Sequence, residues 1–227
     1  MPAPLTVVIP TLNAADDLPA TASALMPGVA AGLIRALIVS DGGSEDGTLA
    51  LADALGAVVV SGPAGRGGQI RRGVAAADTD WVLILHANTW PAGDWVAALT
   101  AHLAKHPDKA GYFHLRFRAE GIAPRLVEGW ANLRSRLFKL PYGDQGLVIS
   151  RHVLAEVGGM PDLPIMEDVA LARVLRRRLR PMPALAVTSA ERYQRAGWLR
   201  RGSRNLLTLL RYLAGASPKD LARTDHL

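Results

Sequence analysis

WVLILHANTW, residues 81–90, begins as an apolar strand and stops on a histidine, a small residue and an amide. In an α/β domain the carboxyl end of a parallel strand opens onto the ligand crevice, so His86 and Asn88 should face chemistry if this strand lies in a parallel sheet. The flanking sequence supports that. Upstream, Thr6 to Ile9 is a β-branched run, and Leu18, Ala22 and Leu25 recur at the i, i+4, i+7 spacing of a helix that Asn13 or Asp16 can cap. Leu37 to Ser40 reads as a second buried strand, and Ser44, Glu45 and Asp46 open a short helix that closes at Gly56. Val58 to Ser61 is a third strand, residues 67–77 are helical, and Trp81 to Leu85 is the fourth strand. Strands separated by helices of roughly ten residues are βαβ units, which build a parallel sheet with ligands at the strand carboxyl ends.

Composition is consistent with this. The chain has 227 residues, 49% of them hydrophobic, and can bury a full core as one domain with C-terminal additions. The absence of cysteine removes structural disulfides, zinc-thiolate sites and thiol nucleophiles, and fits a reducing compartment without proving one. The stretch MPAPLTVVIPTLN has no basic n-region, and Pro10 interrupts its short apolar run, so no signal peptide is expected. No apolar run reaches the roughly 18 to 20 residues of a bilayer span. The expected location is cytoplasmic, either free or peripheral at the inner face of the membrane.

The formal net charge of +6 is uneven, because about half of the 26 Lys and Arg residues fall after position 170, in RVLRRRLR and RYQRAGWLRRGSR. The rhythm also changes past residue 108. AGYFHLRFRAE alternates like a half-exposed strand, Pro124 to Phe138 reads as a helix, GDQGLVIS as a glycine-flanked strand, and IMEDVALARVLRRRL as a helix with its carboxylates in the first turn.

Four segments of the first half end at one rim: VIPTLN, VSDGGSEDGT, GPAGRGGQIRRG and LHANT. Together with GRGGQ, YGDQG, GGMPDLPIMED and the GWLRRGSRNLL tail, in this order, the chain resembles the family 2 glycosyltransferases of GT-A fold, and among them a small bacterial subgroup whose fourth-strand motif is LHADT. The resemblance implies an α/β, Rossmann-like, mostly parallel sheet flanked by helices in a single domain. Residues 1–108 would bind the nucleotide-sugar, 109–190 would form the acceptor side, and 191–227 would form a basic helical tail.

Particular residues carry the chemistry. A uracil-type base offers an imide N–H that a carboxylate can accept, and Asp41 at the end of a buried strand suits this; Asp-Gly-Gly-Ser also reads as an ordinary turn. By resemblance Pro10, Thr11 and Asn13 wall the same pocket. Gly65-Arg66-Gly67-Gly68-Gln69 puts close backbone approach and a guanidinium where a helix begins, a combination that suits a diphosphate, with Arg66 and Gln69 as the nucleotide contacts. Arg71 and Arg72 are second-line candidates.

Transferases of this fold place an Asp-x-Asp pair at the end of the fourth strand, because a hard divalent cation bridging phosphates prefers carboxylate oxygens. Here His86 and Asn88 stand there. The subgroup already has the histidine, so Asn88 is the departure. A unit charge pair at about 4 Å and an effective dielectric of about 20 is worth roughly 4 kcal/mol, so a site for Mg²⁺ or Mn²⁺ would be weakened. Metal-free catalysis through Arg66, or binding without turnover, are the other readings of the same substitution.

Glu167 and Asp168 are adjacent and point about 100° apart on a helix, so they cannot both face one substrate. By resemblance Asp168 is the base that deprotonates the acceptor hydroxyl during an inverting attack. The same resemblance implies that Gly143, Asp144 and Gln145 shape the donor-sugar and acceptor side, and that Arg195 and Trp198 close over the leaving diphosphate. From Trp198 to Leu213 the apolar and basic positions segregate, a basic amphipathic helix compatible with core packing, anionic lipid headgroups or a polyprenyl-phosphate acceptor.

Competing classes fit less well. Sugar nucleotidyltransferases carry their Gly-rich, Arg-containing loop after the first strand, whereas here it follows the third. A nucleic-acid-binding module would explain the pI of about 10.2, but aromatics are only 5% of the chain and no recognition motif is present. No nucleic-acid partner is expected. The partners implied are a nucleoside-diphosphate sugar, UDP-linked by the base argument, and an acceptor hydroxyl.

Overall fold

The β-branched runs of the first half become parallel strands. In the protein's structure, a computed structural model that describes residues 3–225, β1 (Leu5–Thr11), β2 (Ile34–Asp41), β3 (Val58–Ser61) and β4 (Trp81–Ile84) alternate with α1 (Leu18–Ala30), α2 (Thr48–Ala54) and α3 (Arg66–Ala76). Met1, Pro2, His226 and Leu227, the ends of the expected 1–227 span, lie outside the described residues. Register pairs Thr11 with Asp41 and Val8 with Ile84, which brings the carboxyl ends of β1, β2 and β4 to one rim.

The second half adds β5 (Thr89–Ala92), α4 (Trp95–Lys105), β6 (Ala110–Phe117), α5 (Ile122–Phe138), a 3-10 turn at Gly143–Gln145, β7 (Leu147–Ser150), α6 (Arg151–Glu156), α7 (Glu167–Val174), β8 (Leu179–Thr188), α8 (Glu191–Ala196), α9 (Trp198–Leu213) and α10 (Pro218–Asp225). All strands join one sheet in the order β3-β2-β1-β4-β7-β6-β8-β5. Its first four strands are parallel; β7 then runs against both β4 and β6, and β5 against β8. Successive residues of β1 serve opposite layers, as the period of a strand requires: Val7 and Ile9 pack with Leu83, Trp95 and Phe113, whereas Val8 packs with Ile38, Ile70 and Ile84.

Several local expectations are corrected. Neither Asn13 nor Asp16 caps α1; its first turn follows Asp17, which makes no side-chain cap bond. Asn13 instead adopts a left-handed backbone, with its Oδ1 accepting from the Glu45 amide at 2.9 Å. β6 is not half-exposed, because β7 and β8 flank it and α5 covers part of it. The helix expected over IMEDVALARVLRRRL ends at Val174, and the following basic residues lead into β8, a strand the apolar pattern did not announce.

Candidate active site

At the β1–β2 rim the geometry is set by Asp41, which is 1% exposed. Its Oδ1 accepts from Thr11 Oγ1 at 2.9 Å and Ser44 Oγ at 2.6 Å, and its Oδ2 accepts from the amides of Gly43 and Ser44 at 2.8 Å each. Burial acts to raise its pKa, but the bonds from Ser44, Gly43 and Thr11 outweigh burial and leave it lowered. The carboxylate is thus ionised, and its acceptor positions are taken up within the protein. Pro10 and Thr11 are buried beside it.

Gln69 does not face a ligand. It is buried, donating from Nε2 to the carbonyls of Thr11 (2.6 Å) and Ser40 (3.0 Å) while Oε1 accepts from the Gly65 amide at 3.2 Å. It pins the glycine loop to the strand ends and keeps no free polar atom for a nucleotide. Arg71 pairs with Asp162 at 2.9 Å on the surface, and Arg72 donates to the carbonyls of Asp41 and Pro63. A Cβ on Gly67 would collide with the carbonyl oxygen of Pro161, so GRGGQ packs directly on GGMPDLP.

Arg66 is the cation of this rim. It opens α3, is partly exposed, and sits between Glu167, with Nε 2.8 Å from Oε1, and His86, with Nη1 3.3 Å from Nε2. Glu167 is 1% exposed, and its Oε2 has no hydrogen-bond partner. Burial first, then the neighbouring Asp168 charge, raise its pKa against the opposing pull of Arg66.

Opposite lies the 3-10 turn. The Gly143 amide donates to Asp168 Oδ2 at 2.8 Å, and a Cβ at Gly143 would sit 2.5 Å from His86 Nε2, so only glycine allows this approach. Asp168 is half-buried and lines one cavity with His86, Tyr142 and Gly143. Asp144 has a pKa pushed up to about 6, chiefly by desolvation and further by the Asp168 charge, with Arg134 and Arg66 pulling it down. Its Oδ1 is buried with no hydrogen-bond partner. Gln145 is fully buried, its Oε1 accepting from Ser135 Oγ at 2.5 Å and its Nε2 donating to the Phe113 carbonyl at 3.1 Å, so its part in this turn is to hold its shape.

The donors at the end of β4 do not fit a resident divalent cation. Burial first, then the charges of Arg66 and Arg192, push the His86 pKa down to about 3, so the ring is neutral, but its Nε2 already faces a guanidinium. Asn88 Oδ1 accepts from Thr89 Oγ1 at 3.3 Å. Among the described residues no three His, Cys, Asp or Glu side chains converge as metal ligands. Arg66 brings positive charge to the place a cation would need.

Arg195 and Trp198 lie on the helices that follow β8. Arg195 is exposed and pairs with Glu191 one turn earlier on α8. The Trp198 ring stacks on Tyr193 and meets Phe117 edge-on, with centroids 5.0 and 5.2 Å apart. That aromatic cluster docks the tail onto the body. The residues overlooked in the sequence are Arg192, whose charge reaches His86, and Arg134, a buried arginine whose guanidinium lies 3.4 Å from the Tyr142 ring centroid. RYQRAGW offers two arginines, and only helix phase selects Arg192.

Four strand ends that gather Asp41, Arg66 and His86 opposite a turn and helix bearing Asp144 and Asp168 define an architecture of the GT-A glycosyltransferase type. The model of glycosyl transferase family 2 matches residues 6–147, more than half of the chain, and the chain belongs to that family of glycosyltransferases. Among solved structures it is similar to glucosyl-3-phosphoglycerate synthase from Mycobacterium tuberculosis in complex with Mn²⁺, UDP and glucosyl-3-phosphoglycerate, at 24% identity and TM-score 0.57 over 82% of this chain and 70% of that one. The same enzyme with Mg²⁺ and UDP gives 23% identity and TM-score 0.58 over 82% of this chain and 69% of that one. TarS residues 1–349 from S. aureus are 13% identical at TM-score 0.58, over 81% of this chain and 57% of that one. These likenesses show the fold. No curated protein matches the chain.

Proposed function

We propose that the protein transfers a sugar from a UDP-linked donor to an acceptor hydroxyl, with inversion at the anomeric carbon. The observation that carries this is Arg66, a partly exposed guanidinium at the amino end of α3, held at 2.8 Å by the buried Glu167. A diphosphate laid there meets helix amides and a forked cation together. The base lies toward Thr11 and Asp41, and its imide N–H is received by Asp41 when the Ser44 hydroxyl rotates off Oδ1. The glucosyl-3-phosphoglycerate synthase was crystallised with UDP, which supports a uridine donor.

Asp168 takes the proton of the acceptor hydroxyl as that oxygen attacks the anomeric carbon. The bond from that carbon to the phosphate oxygen breaks, UDP departs with the electron pair, and Arg66 and Arg192 meet the charge that develops on it. Gly143 fixes the Asp168 carboxylate through its amide. Asp144 borders the sugar.

A second reading rests on Asn88. With no carboxylate at the end of β4 and a neutral His86 against Arg66, the same pocket would bind the nucleotide-sugar without turning it over. A thermal-shift series of nucleoside diphosphates and their sugars, in Mn²⁺ and in chelator, followed by an assay of UDP release, separates the two. A ligand that binds only the native state raises its stability. UDP and one of its sugars are expected to raise Tm where GDP and ADP do not, with UDP release in that sugar's presence. A Tm shift without release favours the second reading, and no shift with UDP overturns both.

A further inference from the structure

Helix α5 is inside out. Its buried face carries Pro124 and Ala131 alongside Glu128, Arg134 and Ser135, whose polar atoms serve backbone and turn: Glu128 Oε1 accepts from the Phe117 amide at 2.7 Å, Arg134 Nε donates to the Leu140 carbonyl at 3.0 Å, and Ser135 Oγ donates to Gln145 Oε1. Its outer face carries Ile122, Leu126, Trp130, Leu133 and Leu137, all exposed, Ile122 to 80%. At about 100° per residue these five fall within an arc of about 80°, a continuous apolar stripe turned to solvent.

Helix α9 lies against α5 and repeats the pattern. Leu199, Leu206, Leu207, Leu210 and Leu213 are exposed on an arc of about 120°, with Arg200, Arg204 and Arg211 along one flank and Leu209 turned inward. Trp130 and Leu206 line one cavity between the helices, so the two stripes adjoin. Contiguous apolar patches of this kind mark interaction surfaces.

We infer that α5 and α9 together form a docking face for an anionic lipid bilayer, with the leucines entering the interface and the arginines meeting the headgroups. Charge selects the occupant. α9 carries Arg200, Arg201, Arg204 and Arg211 and no carboxylate, and the one acid of α5, Glu128, is buried and bonded. A second copy docked face to face would bring like charges together, whereas anionic headgroups complement them. No described helix is long and apolar enough to cross a membrane, so the contact is interfacial. The sequence alone points to α9; the α5 half emerges only once its outward face is seen. The inference does not depend on the transferase reading.

Flotation of the full chain with phosphatidylcholine vesicles, with and without about a third phosphatidylglycerol, tests it. Binding is expected to the anionic vesicles, to weaken with salt, and to fall roughly tenfold or more in Leu133→Glu/Leu207→Glu at unchanged Tm. The chain has no cysteine, so a polarity-sensitive dye at Leu137→Cys, with Asp53→Cys as control, gives a second readout: a blue shift on anionic vesicles at 137 only. Equal binding by the double variant, equal binding to neutral vesicles, or no dye shift overturns the inference. A dimer that the same substitutions dissociate, with no vesicle binding, overturns it in favour of a second copy.

Discussion

Arg66 Nε lies 2.8 Å from Glu167 Oε1, and this pair fixes the division of labour between two adjacent carboxylates. Glu167 is committed to the guanidinium from a buried position, while Asp168 turns to the Gly143 amide and the cavity. Asp168→Asn removes a proton acceptor and little volume, so UDP affinity should stay within about threefold while turnover falls by roughly a hundredfold or more. Calorimetry and a UDP-release assay on the same preparation check it. Full turnover in this variant would move the base elsewhere.

Asp144 should imprint a pH dependence on stability. Its folded pKa of about 6 stands above the ordinary aspartate value, so the stability it contributes is complete below about pH 4 and is lost as pH rises through about 6. With partial exposure taken into account, the change is on the order of 1–2 kcal/mol. His86, with its pKa lowered, acts oppositely and loses stability as pH falls below its ordinary value. Plotting the Tm difference between Asp144→Asn and the parent against pH isolates the carboxylate: the difference should shift in the variant's favour from about pH 4 to 7. A flat difference would remove Asp144 from the set of strained groups.

Trp198 is a packing residue in this structure. Trp198→Ala strips an aromatic partner from Phe117 and Tyr193 and should cost about 2 kcal/mol, less than for a fully buried tryptophan, because the ring is partly exposed. Thermal unfolding measures it, and UDP affinity should not change. Lost UDP binding in a stable variant would return Trp198 to the donor site.

Asn88 stands where the resemblance to the family implies a metal-binding carboxylate. Asn88→Asp supplies one beside the neutral His86, and Mn²⁺ affinity measured calorimetrically with UDP present should rise by roughly tenfold or more. An unchanged affinity would mean that Arg66 already satisfies that end of β4.

The first four strands were legible because each is a short apolar run rich in β-branched residues; β1, β2 and β4 are buried parallel strands, which need no further signal, and β3 is an exposed edge strand closed by Gly62. β5 and β8 were not. TWPA and LRPMPALAVT both contain proline, and the second an arginine, and they pair because neighbouring strands are already in place; the proline-bearing part of β8 lies where its register with β6 shifts between Tyr112 and His114. Arg66 and Asp168 could be singled out from the sequence, but Gln69 and Gln145 could not be excluded, since a glutamine turned inward to satisfy carbonyls reads the same as one facing a ligand. Arg192 and the outward stripe of α5 depend on helix phase against a particular sheet, which no local pattern encodes.

The most direct test of the Arg66-centred donor site is calorimetry of UDP with the parent protein and with Arg66→Ala, each in Mn²⁺ and in excess chelator. UDP should bind the parent in chelator, and Arg66→Ala should weaken that binding by roughly tenfold or more, the scale of one lost charge-assisted contact. Binding that requires Mn²⁺ and is indifferent to Arg66→Ala would contradict the account and place the diphosphate on a metal instead.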